Sequence, residues 1–188
     1  MVEARQRYRE TMGSVAAEQL VFLDESGVTT SMTRLYGRAP KGKRVREAVP
    51  QGRWQVMTML GALGATGLQA AMTIEGATDG DVFATFVSEV LVPTLRAGQV
   101  VLLDNLSAHK DARVQAAIEA CGCRLVFLPP YSPDLNPIEM AWSKVKTQLR
   151  TRMARAWDQL EQGVGAALRS VTPGDVRGYF RHCGYALQ

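Results

Sequence analysis

Two stretches of the chain repeat one pattern, four apolar residues followed by an aspartate. Leu20, Val21, Phe22 and Leu23 run into Asp24, and Val100, Val101, Leu102 and Leu103 run into Asp104. A short apolar run of this kind reads as a strand buried on both faces, inside a sheet that helices cover. In open α/β sheets, ligands bind at the carboxyl ends of the strands. Both acids are therefore candidates for a site, although aspartate is also a common strand-terminal turn residue. That the pattern occurs twice favours the site.

The remaining elements support the same architecture. Residues 2–12 read as a short polar helix. Residues 54–63 and 68–74 read as two strands joined by a turn at G-A-T-G (64–67). Residues 54–74 carry no charge, which is long enough for a membrane span. Gly61, Gly64 and Gly67 interrupt that stretch, and Gln69 and the threonines dilute it, so no membrane role is expected. The segment T-D-G-D (78–81) supplies capping residues for a helix over 80–92. A helix over 111–121, a strand over 124–128, a proline-rich loop over 129–137 and a helix to about residue 150 follow. Helical segments near 155–170 and 173–181 end the pattern. Three adjacent strands and then alternating helices and strands predict an α/β fold, a five-stranded mixed sheet with helices on both faces.

Composition narrows the function classes. With 188 residues, 46% of them apolar, the chain buries a core without disulfides or a structural metal. Cys121, Cys123 and Cys183 have no framework spacing, and His109 and His182 are the only histidines, which argues against a disulfide scaffold and a zinc site. Free thiols fit a reducing cytoplasm. The charged amino terminus does not read as a signal peptide. The net charge of +4 is too small to name a partner. The distribution of charge says more. Arg34, Arg38, Lys41, Lys43, Arg44, Arg46 and Arg53 crowd a segment broken by Gly37, Pro40 and Gly42. Lys144, Lys146, Arg150, Arg152 and Arg155 form a second group. Such clusters suit sequence-independent contact with a DNA backbone, or are simply a solvated basic surface.

A third acid, Glu139, lies in N-P-I-E (136–139). Asn136 is placed as an N-cap, Pro137 as the first helical residue and Glu139 as a capping-box glutamate. The same position aims a carboxylate out of a helix start. Three converging carboxylates repel one another unless hard divalent cations join them. Two such ions, roughly 3.5–4 Å apart, support in-line phosphoryl transfer.

The runs F-L-D-E-S-G (22–27), L-L-D-N-L-S-A-H-K (102–110) and L-P-P-Y-S-P-D-L-N-P-I-E-M-A-W-S-K-V-K (128–146) resemble the three signature blocks of DDE transposases of the mariner superfamily, in its bacterial insertion-sequence branch. Thirty-four residues, 105–138, separate Asp104 from Glu139, which is the spacing of that branch. The resemblance covers residues 20–150. It implies a ribonuclease H-like fold, with Asp24, Asp104 and Glu139 as catalytic residues and ligands of two Mg²⁺ ions, Mn²⁺ substituting. It implies DNA cleavage at transposon ends, transfer of the freed 3′ end into target DNA, and at least a homodimer during reaction. On this view residues 1–19 are a helical extension, 20–150 the catalytic domain and 151–188 a helical segment packing on it. Such transposases also carry an amino-terminal helix-turn-helix region. Residues 1–19 leave no room for one before the first strand, so a separately encoded or frameshift-fused half, or a truncated copy, is expected. The expected location is the bacterial cytoplasm, at the nucleoid.

Around the acids, Glu25, Asn105 and His109 are candidate supporting residues. Glu25 points away from Asp24 if the strand alternates. Trp142 reads as a core anchor, and Tyr131 as a residue able to flank DNA. The candidate DNA contacts are Arg34, Arg38, Lys41, Lys43, Arg44, Arg46, Lys110, Lys144, Lys146 and Arg150. On a helix, Glu139, Ser143, Lys146 and Arg150 share one face. The rival readings are a ribonuclease H-like nuclease without strand transfer, and an inactive DNA-binding remnant.

Overall fold

The computed structural model describes residues 2–105 and 111–187, the side chain of Val2 excepted. Its five strands are β1 (Leu20–Thr29), β2 (Val56–Gly64), β3 (Gly67–Glu75), β4 (Val100–Leu103) and β5 (Arg124–Phe127). They form one sheet in the order β3-β2-β1-β4-β5. The β1–β2 and β2–β3 pairs are antiparallel, while β4 runs parallel to both β1 and β5. The apolar runs that flag β1 and β4 thus become neighbouring central strands, with Leu23 paired to Leu103. One step further along each strand stand Asp24 and Asp104.

The first strand is longer than its apolar run predicts. It continues past Asp24 to Thr29, because β2 keeps supplying hydrogen-bonding partners as far as the Thr29–Val56 pair. β4 has no such continuation and stops at Leu103. The sheet therefore opens at Asp104 while β1 runs on. The β2–β3 turn falls at Ala65 and Thr66, and Gly67 adopts φ 148°, a conformation that side chains disfavour.

Among the described residues, six α-helices cover the sheet: α1 (Val2–Met12), α2 (Gly80–Thr85), α3 (Ala112–Ala120), α4 (Pro137–Arg152), α5 (Trp157–Arg169) and α6 (Pro173–His182). The Asp79 carboxylate accepts from Val82 N at 2.9 Å and starts α2, as the capping reading expects. The helix expected over 80–92 is not α throughout. It widens to π-type turns over Phe86–Leu91 and ends in a 3₁₀ turn at Val92–Thr94. Pro93 has no N–H to continue the helical ladder.

Strand alternation sorts the core into two layers. Leu20, Phe22, Val100 and Leu102 pack beneath α1, α4, α5 and α6, together with Trp142, Val145, Leu160, Val164 and Phe180. Val21, Leu23, Val101 and Leu103 pack against α2, its π-type extension and α3, through Phe83, Phe86, Val114 and Ile118. Helices lie on both faces, as expected. By the same alternation Asp24 and Asp104 fall on the α4 side. The terminal elements share that layer: Tyr8 and Met12 of α1 join one continuous core with Phe180 of α6.

Candidate active site

Asp24, Asp104 and Glu139 line one cleft of about 370 Å³, with Asn105, Leu128, Pro129, Pro130, Tyr131, Ser132, Pro133 and Asn136. Each acid comes from a different element. Asp24 lies within β1, Asp104 directly follows β4, and Glu139 is in the first turn of α4. The sheet brings the first two together, and the proline loop returns the chain across their open end to set down the third.

The sequence admits a capping-box role for Glu139, and the structure does not use it. Asn136 is the N-cap residue, yet no side-chain hydrogen bond caps α4. The Asn136 side chain is 3% exposed, and its Oδ1 has no partner among the described residues. The Glu139 side chain is exposed at the cleft instead. The buried face of α4 is formed by Ile138, Ala141, Trp142, Val145 and Leu149.

Asp24 is the most constrained of the three acids. It is 7% exposed, and Trp142 Nε1 donates to its Oδ2 at 3.1 Å. Burial, then the charge of Glu139, and further the charge of Asp104, push its carboxyl up to about 7. Hydrogen bonds from the Glu25 backbone and from Trp142 pull the other way. Trp142 has the anchoring role read from the sequence, at 1% exposure, but its N–H also orients an acid. Its ring fits because Gly61, paired with Asp24 across β1 and β2, has no side chain. A Cβ on Gly61 would lie 2.6 Å from Cη2 of Trp142.

The donor set suits a hard divalent cation. The cleft presents three carboxylates and no sulfur, while Cys121, Cys123 and Cys183 lie outside its lining. Among the described residues, no three acidic, histidine or cysteine side chains stand close enough together to ligate one ion. The three acids share the cleft without converging, and the buried one is driven toward its protonated form.

The other expected residues fall into three groups. Asn105 lines the cleft, whereas Glu25, half-buried and alternate to Asp24, does not. His109 and Lys110 lie outside the described residues. Arg34, Arg38, Lys41, Lys43, Arg44 and Arg46 are exposed on an irregular segment between β1 and β2. Lys146 and Arg150 are half-buried on the α4 side that carries Glu139. Lys144 is committed inside the fold: its ammonium pairs with Asp175 of α6 and donates to Ser170 O at 2.9 Å. Arg155 donates to the carbonyls of Thr30 and Met32, at 3.1 and 2.9 Å. Sequence reading missed Gly61, Asn136 and Arg5 at the site. Arg5 sits on α1 and holds Ser132 and Asp134 of the proline loop. A glycine inside an apolar strand was the sequence signal for Gly61, and the N-P start of α4 the signal for Asn136.

The fold matches solved transposase structures. A Mos1 transposase paired-end complex with left transposon end superimposes at a TM-score of 0.76 and 12% identity, covering 96% of this chain and 56% of that one. A Mos1 strand transfer complex matches at 0.64 and 13% identity, covering 97% and 54%. The catalytic domain of Mos1 mariner transposase matches at 0.64 and 12% identity, covering 96% and 83%. The chain thus spans just over half the length of the chains in the complexes and most of the isolated catalytic domain. The expected ribonuclease H-like fold is the fold observed. No curated protein sequence matches the chain. No helix among the described residues is long and apolar enough to cross a membrane. The DDE superfamily endonuclease family matches residues 19–161, from the start of β1 into α5 and across all three acids, and the chain belongs to that family.

Proposed function

We propose that this chain is the catalytic part of a transposase of the bacterial insertion-sequence branch, which cleaves DNA strands at transposon ends and transfers them into target DNA. The observation that carries this reading is one cleft lined by three acids from three elements, with the buried acid held by a tryptophan. Asp24, Asp104 and Glu139 are the residues that would hold two Mg²⁺ ions, or Mn²⁺ in their place. Bound ions of this kind activate the attacking oxygen and stabilise the leaving one in phosphoryl transfer.

The chain's own contribution is placement. Trp142 donates to Oδ2 of Asp24 and so fixes how that carboxylate sits at the cleft. Pro137 in the first turn of α4 starts the helix in a fixed conformation, which sets where Glu139 emerges. Burial around Asp24 keeps water from screening its charge. Arg34, Arg38, Lys41, Lys43, Arg44 and Arg46, with Lys146 and Arg150, are proposed to run along the DNA backbone. Leu35, Tyr36, Val49 and Trp54 are exposed among the first group, which supports a surface covered by DNA or a second copy in a working homodimer. Recognition of transposon ends is assigned to a helix-turn-helix half, encoded separately or joined by frameshifting, and the working location to the bacterial cytoplasm at the nucleoid. Within the chain, 20–150 would be the catalytic unit, with 1–19 and 151–188 packed on it.

The test is nicking of supercoiled plasmid with Mg²⁺ or Mn²⁺, using wild type, Asp104→Ala and Asp104→Asn. Wild-type nicking should stop with EDTA and fall by about 10³-fold or more in both variants. Joining of precut transposon-end DNA to the plasmid would then separate transposition from simple hydrolysis. Nicking that persists in Asp104→Ala overturns the site assignment.

A further inference from the structure

We propose that Arg5 of α1 is a positioning residue for the cleft: its guanidinium fixes the proline loop that forms the cleft wall and delivers Glu139. The inference rests on the catalytic reading of the cleft for its activity readout only. Arg5 lies outside residues 19–161, in a helix whose sequence reads as plain polar surface.

The loop needs outside support. Pro129, Pro130, Tyr131, Ser132, Pro133 and Asn136 supply six of the eleven residues lining the cleft. Its three prolines have no N–H to offer the sheet or one another. Tyr131 sits at φ 53°, a left-handed conformation that a bulky side chain adopts only when its surroundings impose it. Side chains from distant elements supply those surroundings. Arg5 Nη1 donates to Ser132 Oγ at 2.9 Å and to Asp134 Oδ1 at 2.9 Å, and Nη2 donates to Asp134 Oδ2. The fork meets the carboxylate with two bonds, a geometry that fixes orientation as well as distance. Ser132 Oγ in turn donates to Pro130 O at 3.2 Å, closing a tie across Tyr131. Tyr185 OH donates to Leu135 O at 2.8 Å and pairs with Tyr8 OH at 2.7 Å, so α1 supports both ends of the 132–135 turn.

Arg5 lines no part of the cleft, so it acts through the loop. The Arg5 side chain is 29% exposed and that of Asp134 55%, and ion pairs that accessible add little to stability. Losing the clamp should therefore change the cleft more than the fold.

The experiment uses the full chain with supercoiled plasmid and Mg²⁺, and compares wild type with Arg5→Ala, Arg5→Lys, Arg5→Asp and the charge swap that joins Arg5→Asp to Asp134→Arg. Arg5→Ala should lower the rate at saturating DNA by about 10- to 100-fold, as displacement of a reacting group does. The half-saturating DNA concentration should hold within about twofold and the Tm within a few degrees. Arg5→Lys should recover part of the rate, and the swap should exceed Arg5→Asp alone. Hydrogen exchange is read in parallel. The amides of Leu135 and Asn136, which bond to Ser132 O and Pro133 O, should exchange faster in Arg5→Ala, with the sheet amides unaltered. A rate within about twofold of wild type, or a loss that follows the unfolded fraction, overturns the proposal, as does unchanged exchange at Leu135 and Asn136. If wild type fails to nick, the catalytic reading fails instead, and exchange alone decides the role of Arg5.

Discussion

On the face of the sheet beneath α2 and α3, Val21, Leu23, Val101, Leu103, Phe83, Phe86, Val114 and Ile118 pack as an ordinary apolar layer. On the opposite face the apolar layer is threaded by polar ties. Trp142 reaches Asp24, Lys144 reaches Asp175, Tyr8 meets Tyr185, and Tyr185 reaches Leu135 O. The first and last of these ties end at the cleft or at the loop that walls it. The two faces thus bear different responsibilities. One stabilises the sheet, and the other stabilises the sheet while aiming side chains at the site.

The largest expected effect tests the plain face. Phe86→Ala removes a fully buried ring and should cost about 3–5 kcal/mol of stability, measured by urea unfolding. Its nicking rate per folded molecule should match wild type. A rate loss beyond the unfolded fraction would mean that the two faces are coupled.

The next effect sharpens the account of the site face and concerns charge. Burial and the charges of Glu139 and Asp104 push the Asp24 carboxyl up to about 7, above the ordinary value of an unfolded aspartate. A raised carboxyl value means that folding is favoured more when the group is protonated. In metal-free buffer, the contribution of Asp24 to stability should be most favourable near pH 4, fall by up to about 1.4 kcal/mol per pH unit toward pH 7, and then level off. Asp24→Asn should abolish that slope and be the more stable protein at pH 8. Thermal melts from pH 4 to 8 in EDTA check this, and parallel slopes for the two proteins would refute it.

The smallest effect breaks the comparison at a single methyl group. Gly61→Ala should overpack Trp142 and cost about 1–3 kcal/mol. Because the displaced ring carries the donor to Asp24, nicking per folded molecule should also fall, unlike in Phe86→Ala. Trp142 fluorescence should shift in the same variant. Unchanged nicking would show that the tryptophan is only packing.

Much of this arrangement was legible in the chain. The apolar runs ending in Asp24 and Asp104 located the two central strands, because buried strands leave a local pattern. The block around Glu139 located the third acid. The parts that were not legible share one cause, which is partners distant in sequence. Lys144 reads as a free cation, and only the return of α6 brings Asp175 to it. Trp142 reads as core, and its donor role depends on Asp24, 118 residues away. The capping reading of Asn136 and Glu139 followed a sound local rule, yet the N-cap side chain makes no capping bond. β1 outran its apolar run because a strand ends where its neighbours stop pairing, not where its own pattern fades.

The ties of the site face have a consequence for how the protein is made. Arg5 bonds to Ser132 across 127 residues, and Tyr8 meets Tyr185 across 177. These two polar ties of α1 form only when the proline loop and the segment after α6 have reached it. Contacts this remote form late, after local helices and hairpins. A nascent or truncated chain carries Asp24 and Asp104 before anything holds the loop that sets Glu139. The cleft wall therefore depends on contacts that local folding alone cannot make.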